Sequence, residues 1–316
     1  MSAARTLHIT NGDSAAGTMN EARMIGDILP WRDVLHDGPV PGGLSLAQLG
    51  PIRARFLSQV GWDDEARLLH AFKTRDDVVE RYDEYANVVL WFEWDLYDQL
   101  QLLQLLDFFA GKLATRETPL RLEIVSVAGY LGTLAAKEFP ELYAKRKPVN
   151  VAMLSLGQKA WHAITSSEPD SVDALLKTDI SALPFPADAL ERFLEELPWT
   201  GDGLARSERQ LMEGISNGAS GFGEIFQYAT QQEERIYCGD SSAALYLDRL
   251  SRGQTPLVSV SGEKFSLTDA GRAVLRKDAD WIALGGSDRW LGGIHLEGGN
   301  AKWRWDPSNR RSVSTQ

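Results

Sequence analysis

Three stretches carry residue types that could do chemistry. The first is LHITNGDSAAGTM, where a short apolar run beginning at Leu7 breaks at Asn11, Gly12, Asp13 and Ser14 and continues into small, helix-compatible residues. A turn that leaves the C-terminal end of a strand and opens a helix presents unpaired N–H groups, here those near Ala15, Ala16 and Gly17. One negative charge facing that dipole end gains ~0.3–1 kcal/mol. Asn11 and Gly12 tolerate positive φ, which suits such a turn. Asp13 opposes an anion, and the alternative reading makes Asp13 or Ser14 a helix cap. Neither the Gly-x4-Gly-Lys-Ser/Thr phosphate loop nor the three-glycine dinucleotide fingerprint is present.

The second stretch, FEWDLYDQL, puts Glu93 and Asp95 at the end of a strand and Asp98 and Gln99 in the first turn of the next helix. The third, WRDVLHDGPVPGG, is a Pro- and Gly-rich loop that carries Asp33, His36, Asp37 and Gly38. If the three converge, one edge holds Ser14, His36 and several carboxylates, with His8 just behind. That set suits acid–base work or a divalent metal bound through oxygen and nitrogen. No ligand spacing such as His-Glu-x-x-His selects a metal, so metal and cofactor stay unnamed. The competing reading is a group of turns and caps with solvated acids.

These residues need a scaffold. TLHIT, NVVLWF and LRLEIVSV read as strands, and GTMNEARMIG, DLYDQLQLLQLLDFFAG and GYLGTLAAKEF as the helices between them. Thr18 and Glu21 have capping-box spacing, and the second helix stops at Gly111. Strand and helix in alternation imply a Rossmann-like α/β domain with a mostly parallel sheet, residues 1–150, its last element near Pro148. Residues 151–202 read as a helical connector containing DSVDALLK and PADALERFLEEL. Residues 203–316 give three short helices (SERQLMEGI with Ser207 and Gln210 in capping-box spacing, GFGEIFQYATQ, SSAALYLDRLSRG), a hairpin in PLVSVSGEKFSLT and a closing helix in DAGRAVLR. This order is expected of a winged helix-turn-helix. A Gly- and Trp-rich β tail follows, with Trp303 and Trp305 on one side of a strand, and the end after Asp306 is expected to fray.

Composition narrows the classes. With 43% hydrophobic and 24% charged residues the chain is globular in type, and its net charge of -11 disfavours non-specific coating of nucleic acid or anionic membrane. One cysteine, Cys238, excludes an internal disulfide and a multi-Cys zinc site. No leader pattern opens the chain and no apolar run approaches ~20 residues, so the expectation is a cytoplasmic protein that does not enter a membrane. A recognition helix in SSAALYLDRLSRG would offer DNA Arg249 and Arg252 against Asp248, in a segment whose charges nearly balance, which supports nucleic-acid contact only weakly. A protein partner, a second copy of the chain or an intramolecular role fits the apolar spacing equally. In GGSDRWLGGIHL the residues Asp288, Arg289, Trp290 and His295 form a second candidate site or, more simply, an Asp–Arg pair and Trp packing that hold a hairpin.

Two family resemblances follow from these blocks. GDSAAG after a first strand is similar to the nucleophile block of SGNH (GDSL-type) ester hydrolases, and DVLH, Asp33 to His36, has the form of their Asp-x-x-His base. In that family the base block lies near the domain's C-terminus, and its Gly and Asn blocks are missing here. The longer likeness is of LHITNGDSAAGTM, WRDVLHDGPVP, LWFEWDLYDQLQLLQLLDFF, LPFPADALERFLEELPWTGDGLARSERQLMEGI, LTDAGRAVL and DRWLGGIHL, which together resemble the bacterial proteins of domain-of-unknown-function family 1835 over nearly the whole chain. The resemblance implies a bacterial, cytoplasmic protein without an assigned activity, and points at His8, Gly12, Asp13, Ser14, Asp33, Gly38, Pro39 and Asp95. The leading expectation is binding, with hydrolysis as an option, of a small anionic or nucleotide-like ligand at the strand ends, where Asp13, Ser14, His36 and Asp95 would act. A ligand-responsive DNA regulator, a Ser14 ester hydrolase and a structural interaction module are the alternatives.

Overall fold

The β-branched runs TLHIT and NVVLWF lie side by side in a parallel sheet in the computed structural model, which describes residues 5–114 and 121–315. The chain divides into two compact units. One comprises Met1–Leu35, Gly43–Ala163 and Leu175–Ala189, the other His36–Gly42, Ile164–Ala174 and Leu190–Gln316. No helix among the described residues is long and apolar enough to cross a membrane.

The first unit starts with β1 (Thr6–Thr10), α1 (Asp13–Glu21) and β2 (Asp27–Pro30). β3 (Gly38–Pro39) belongs to the second unit. Then come α2 (Leu46–Gln59), α3 (Glu65–Glu80), β4 (Asn87–Phe92), α4 (Leu96–Leu113), β5 (Arg121–Ser126), α5 (Phe139–Ala144) and β6 (Lys147–Pro148). The sheet order is β2-β1-β4-β5-β6, parallel except for the last, antiparallel pair. Central parallel strands are covered on both faces, which is why every residue of β1 and all of β4 after Asn87 are buried. Val89 and Trp91 of β4 pack with Val125 and with Ala15 and Met19 of α1, while alternation turns Val88, Leu90 and Phe92 to the other face.

Several boundaries differ from the sequence reading. α1 begins at Asp13, so Thr18 is mid-helix, where its hydroxyl donates to the Ser14 carbonyl instead of capping. Neither Asn11 nor Gly12 adopts positive φ; Gly12 is extended at φ -179. The helix expected in GYLGTLAAKEF is two short 3-10 turns, Leu131–Thr133 and Ala136–Glu138, before α5, since its glycines and short apolar spacing do not support a long helix.

A buried polar belt joins the segment after β2 to α2, α3 and α4. Arg53 on α2 donates from Nε to Asp33 at 3.0 Å, and Gln101 Nε2 donates to the Asp33 carbonyl at 2.8 Å. Trp31 Nε1 donates to Gln104 at 2.8 Å while the Arg75 guanidinium lies 3.9 Å from the Trp31 ring centroid.

α6 (Val151–Ile164), α7 (Asp170–Leu176) and α8 (Pro186–Leu194) are the helices of the expected connector, and unit boundaries fall within each of them. The second unit continues with α9 (Arg206–Ser216), α10 (Phe222–Gln231), α11 (Asp240–Leu250), β7 (Val258–Ser261), β8 (Lys264–Leu267), α12 (Asp269–Leu275), β9 (Asp288–Gly292), β10 (Ile294–Glu297), β11 (Trp303–Asp306) and β12 (Arg311–Ser314). Leu211, Met212, Ile225, Leu247, Val258 and Val274 share its core. α9 is capped by Glu208, whose side chain accepts the Ala205 N–H at 2.8 Å, rather than by a Ser207–Gln210 box. The end after Asp306 is not frayed: β12 pairs with β11 and Ser312 donates to Asp173. β3 runs parallel to β9, and a Cβ on Gly292 or Gly293 would lie 2.3 Å or 2.0 Å from the carbonyl oxygens of Ile164 and Thr165, so this turn must be glycine.

Removing one partner of the Arg53–Asp33 pair leaves a buried charge. Arg53→Met is expected to destabilise the protein to urea by about 3–5 kcal/mol, and the double variant with Asp33→Leu to recover most of that loss.

Candidate functional site

β1 sends the chain to β2 on one side, while β4 lies on its other side. In a doubly wound sheet such a reversal opens a crevice at the C-terminal strand ends. Asn11 follows β1 and Glu93 follows β4 at that crevice, and the Asn11 amide joins them: Nδ2 donates to Glu93 Oε1 at 2.9 Å and to Asp98 Oδ2 at 2.8 Å. The Glu93 N–H donates to Asp98 Oδ1 at 2.7 Å, and Asp95 caps α4 by accepting the Asp98 N–H. Gln99 donates to the Glu93 carbonyl, and the Tyr97 hydroxyl to the Asn11 carbonyl at 3.1 Å. Glu93, Asp95 and Asp98 are all buried, and each brings a carboxylate oxygen within 4.8 Å of the other two.

Burial disfavours the charged form of all three acids. It raises Glu93 against the N–H bonds from Leu131 and Gly132 and the amide of Asn11. It takes Asp95 from 3.8 to about 7, helped by the nearby charge of Glu93, and lifts Asp98 well above the usual carboxylate range, with Asp95 and Glu93 adding to the effect. The cluster therefore holds protons near neutral pH and favours a cation over a bare anion.

The turn after β5 closes the site. Leu131 N–H donates to Glu93 Oε1 at 2.6 Å, and the turn comes so close to α1 that a Cβ on Gly132 would lie 2.5 Å from Ser14 Oγ, a side-chain atom that would have to rotate away. This turn was missed in the sequence, although it leaves a strand at the same edge as the other blocks. Ser14 is exposed. Asp13 neither caps the helix nor faces the crevice acids through any hydrogen bond; its carboxylate takes a bidentate pair with Arg32, which holds it below the usual range. The first helical bond runs from the Ala16 N–H to the Gly12 carbonyl, so the N–H groups outside the ladder precede Ala16 and Gly17. Ala15 and Ala16 put their side chains in the core.

The other candidates lie elsewhere. His8 is a core residue: Trp91 Nε1–H donates to its Nδ1 at 3.1 Å, which leaves Nε2–H for the Ile25 carbonyl at 3.2 Å, and burial lowers its pKa. Asp33 is taken by Arg53. His36, Asp37 and Gly38 belong to the second unit, where Asp37 accepts from the Ser242 and Tyr246 hydroxyls, the latter at 2.8 Å, and His36 Nε2 lies 3.3 Å from Ser242 Oγ. Gly38 starts β3 at φ +78. In the GGSDRWLGGIHL segment the expected Asp–Arg pair is absent: Asp288 pairs with His295 at 2.9 Å, and buried Arg289 donates to the Glu196 carbonyl. Sequence reasoning also missed Arg192, which is buried among Glu196, Ser207, Glu233 and Tyr237. Helical periodicity marks such positions as inward but not as polar network members.

The raised Asp95 pKa makes the folded chain bind more protons than the unfolded chain between about pH 4 and 7, so stability falls as pH rises through that window. Asp95→Asn keeps an N-cap and removes the buried charge. It is expected to raise the melting temperature at pH 8 and to flatten the decline between pH 5 and 8, both read by calorimetry; each tenfold difference in proton affinity between folded and unfolded chain is worth ~1.4 kcal/mol. No family model matches the chain, and no curated protein matches it.

Proposed function

We propose that the first unit binds a divalent cation between Glu93, Asp95 and Asp98 and, through it, a small phosphorylated, nucleotide-like ligand, with hydrolysis of that ligand as the reaction class. The observation that carries this reading is the mutual approach of three buried carboxylates at the β1/β4 crevice. Oxygen ligands of this kind suit Mg2+ or Mn2+, which bind phosphates alongside one or two carboxylates. Arg32 neutralises Asp13, which lowers the opposition of that carboxylate to an anion at the start of α1. The ester-hydrolase alternative loses ground because His36 lies against Ser242 and Asp37. The resemblance to family 1835 and a cytoplasmic setting fit this proposal.

For the second unit we read α9, α10, α11, the β7–β8 hairpin and α12 as winged-helix-like, on their order and shared core. Arg252 is paired with Asp248 and Arg249 lies over Tyr246, which favours a protein partner or a second copy over DNA.

Calorimetric titration of the metal-free protein with Mg2+ and Mn2+ tests the proposal. Binding is expected in the wild type and absent in Asp98→Asn, and ADP is expected to bind only when the metal is present. Absence of heat with either metal up to millimolar concentration overturns it.

A further inference from the structure

A cavity lies in the first unit, apart from the strand ends. It has a volume of about 230 Å3 and lies between the start of α2, the end of α3, the C-terminal half of α4 and α6. Leu46 and Leu49 give it aliphatic walls and Phe108 and Trp161 aromatic ones. An apolar cavity of about 150 Å3 already admits benzene, so this one holds one or two rings.

Lys112 of α4 and Glu80 of α3 also line the cavity but pair with each other, so Gln104 and Asp107 of α4 define what those rings must carry. Gln104 lines the cavity and is buried. Its amide orientation is set by chemistry: Trp31 Nε1 is a donor only, and it donates to Oε1. Nε2 is thereby the group left over, and it has no hydrogen-bond partner among the described residues. A buried donor without a partner costs stability unless a ligand or water supplies an acceptor. Asp107, three residues along the same helix face, also lines the cavity and offers an acceptor, with His162 Nε2 at 3.4 Å. Donor and acceptor side by side match a ring edge that presents an acceptor nitrogen or carbonyl next to an N–H or amino group.

We propose that this cavity binds a one- or two-ring heteroaromatic molecule whose acceptor meets Gln104 Nε2 and whose donor meets Asp107. The site does not depend on the cation site, and it is tested in EDTA to keep the two apart. Benzimidazole and indole are the probes, since they share size and an N–H but only benzimidazole has an acceptor nitrogen.

Benzimidazole is expected to bind the wild type at pH 8 and to shift the Gln104 side-chain amide resonance, with indole about 10- to 100-fold weaker. Gln104→Glu keeps the acceptor for Trp31 and loses the donor, so benzimidazole binding falls by a similar factor. Gly111→Leu is the second variant: Gly111 lines the cavity, and a Cβ there meets nothing within 4 Å. It is expected to keep the fold, on circular dichroism and melting temperature, and to weaken the same probe. Failure of benzimidazole to bind the wild type at millimolar concentration overturns the proposal. So do equal affinities for the two probes, or benzimidazole affinity unchanged in Gly111→Leu.

Discussion

Burying negative charge where two parallel strands end is the constraint around which the first unit is arranged. Each of Glu93, Asp95 and Asp98 is buried, and the loss of hydration is offset by the Asn11 amide and by the N–H groups of Glu93, Asp98 and Leu131, while burial raises the affinity of all three acids for a proton. Those donors come from β1, from the β4–α4 junction and from the turn after β5. One cluster of acids thus holds three chain segments in register at the mouth of the sheet.

Positive charge in the interior obeys the same rule. Arg53 is matched to Asp33 and Arg75 to Asp76, and Arg75 also rests on Trp31. In the second unit Arg192 is shared by two glutamates, a serine and a tyrosine. Isolated buried ions are too costly to persist, so each sits in a network.

The strands and most helices of the sheet were legible because their signals are local. TLHIT and NVVLWF need no distant residue to read as buried strands, and Asp95 and Asp98 announce a helix start by position alone. The convergence of Glu93, Asp95, Asp98 and Asn11 was legible too, since the strand-end rule acts on any α/β sheet. What escaped depends on partners far away in the chain. The loop 31–42 reads as one charged, Pro-rich piece, yet Asp33 is claimed by Arg53 while Asp37 is claimed by Ser242 and Tyr246. Asp13 looked like a cap or a ligand because nothing nearby marks Arg32 as its partner. The β12 strand was unreadable because its polar residues gain meaning only beside β11 and Asp173.

The membership of β3 in the second unit bears on how the chain can be made. Its parallel neighbour β9 begins at Asp288, so ribosomal synthesis presents Gly38 and Pro39 long before the strand they pair with exists. Early in synthesis the first sheet can assemble, but β3 stays unpaired until β9 emerges. Pairing of β3 therefore waits until β9 has been made. A ribosome stalled before residue 288 leaves Gly38 and Pro39 without their strand.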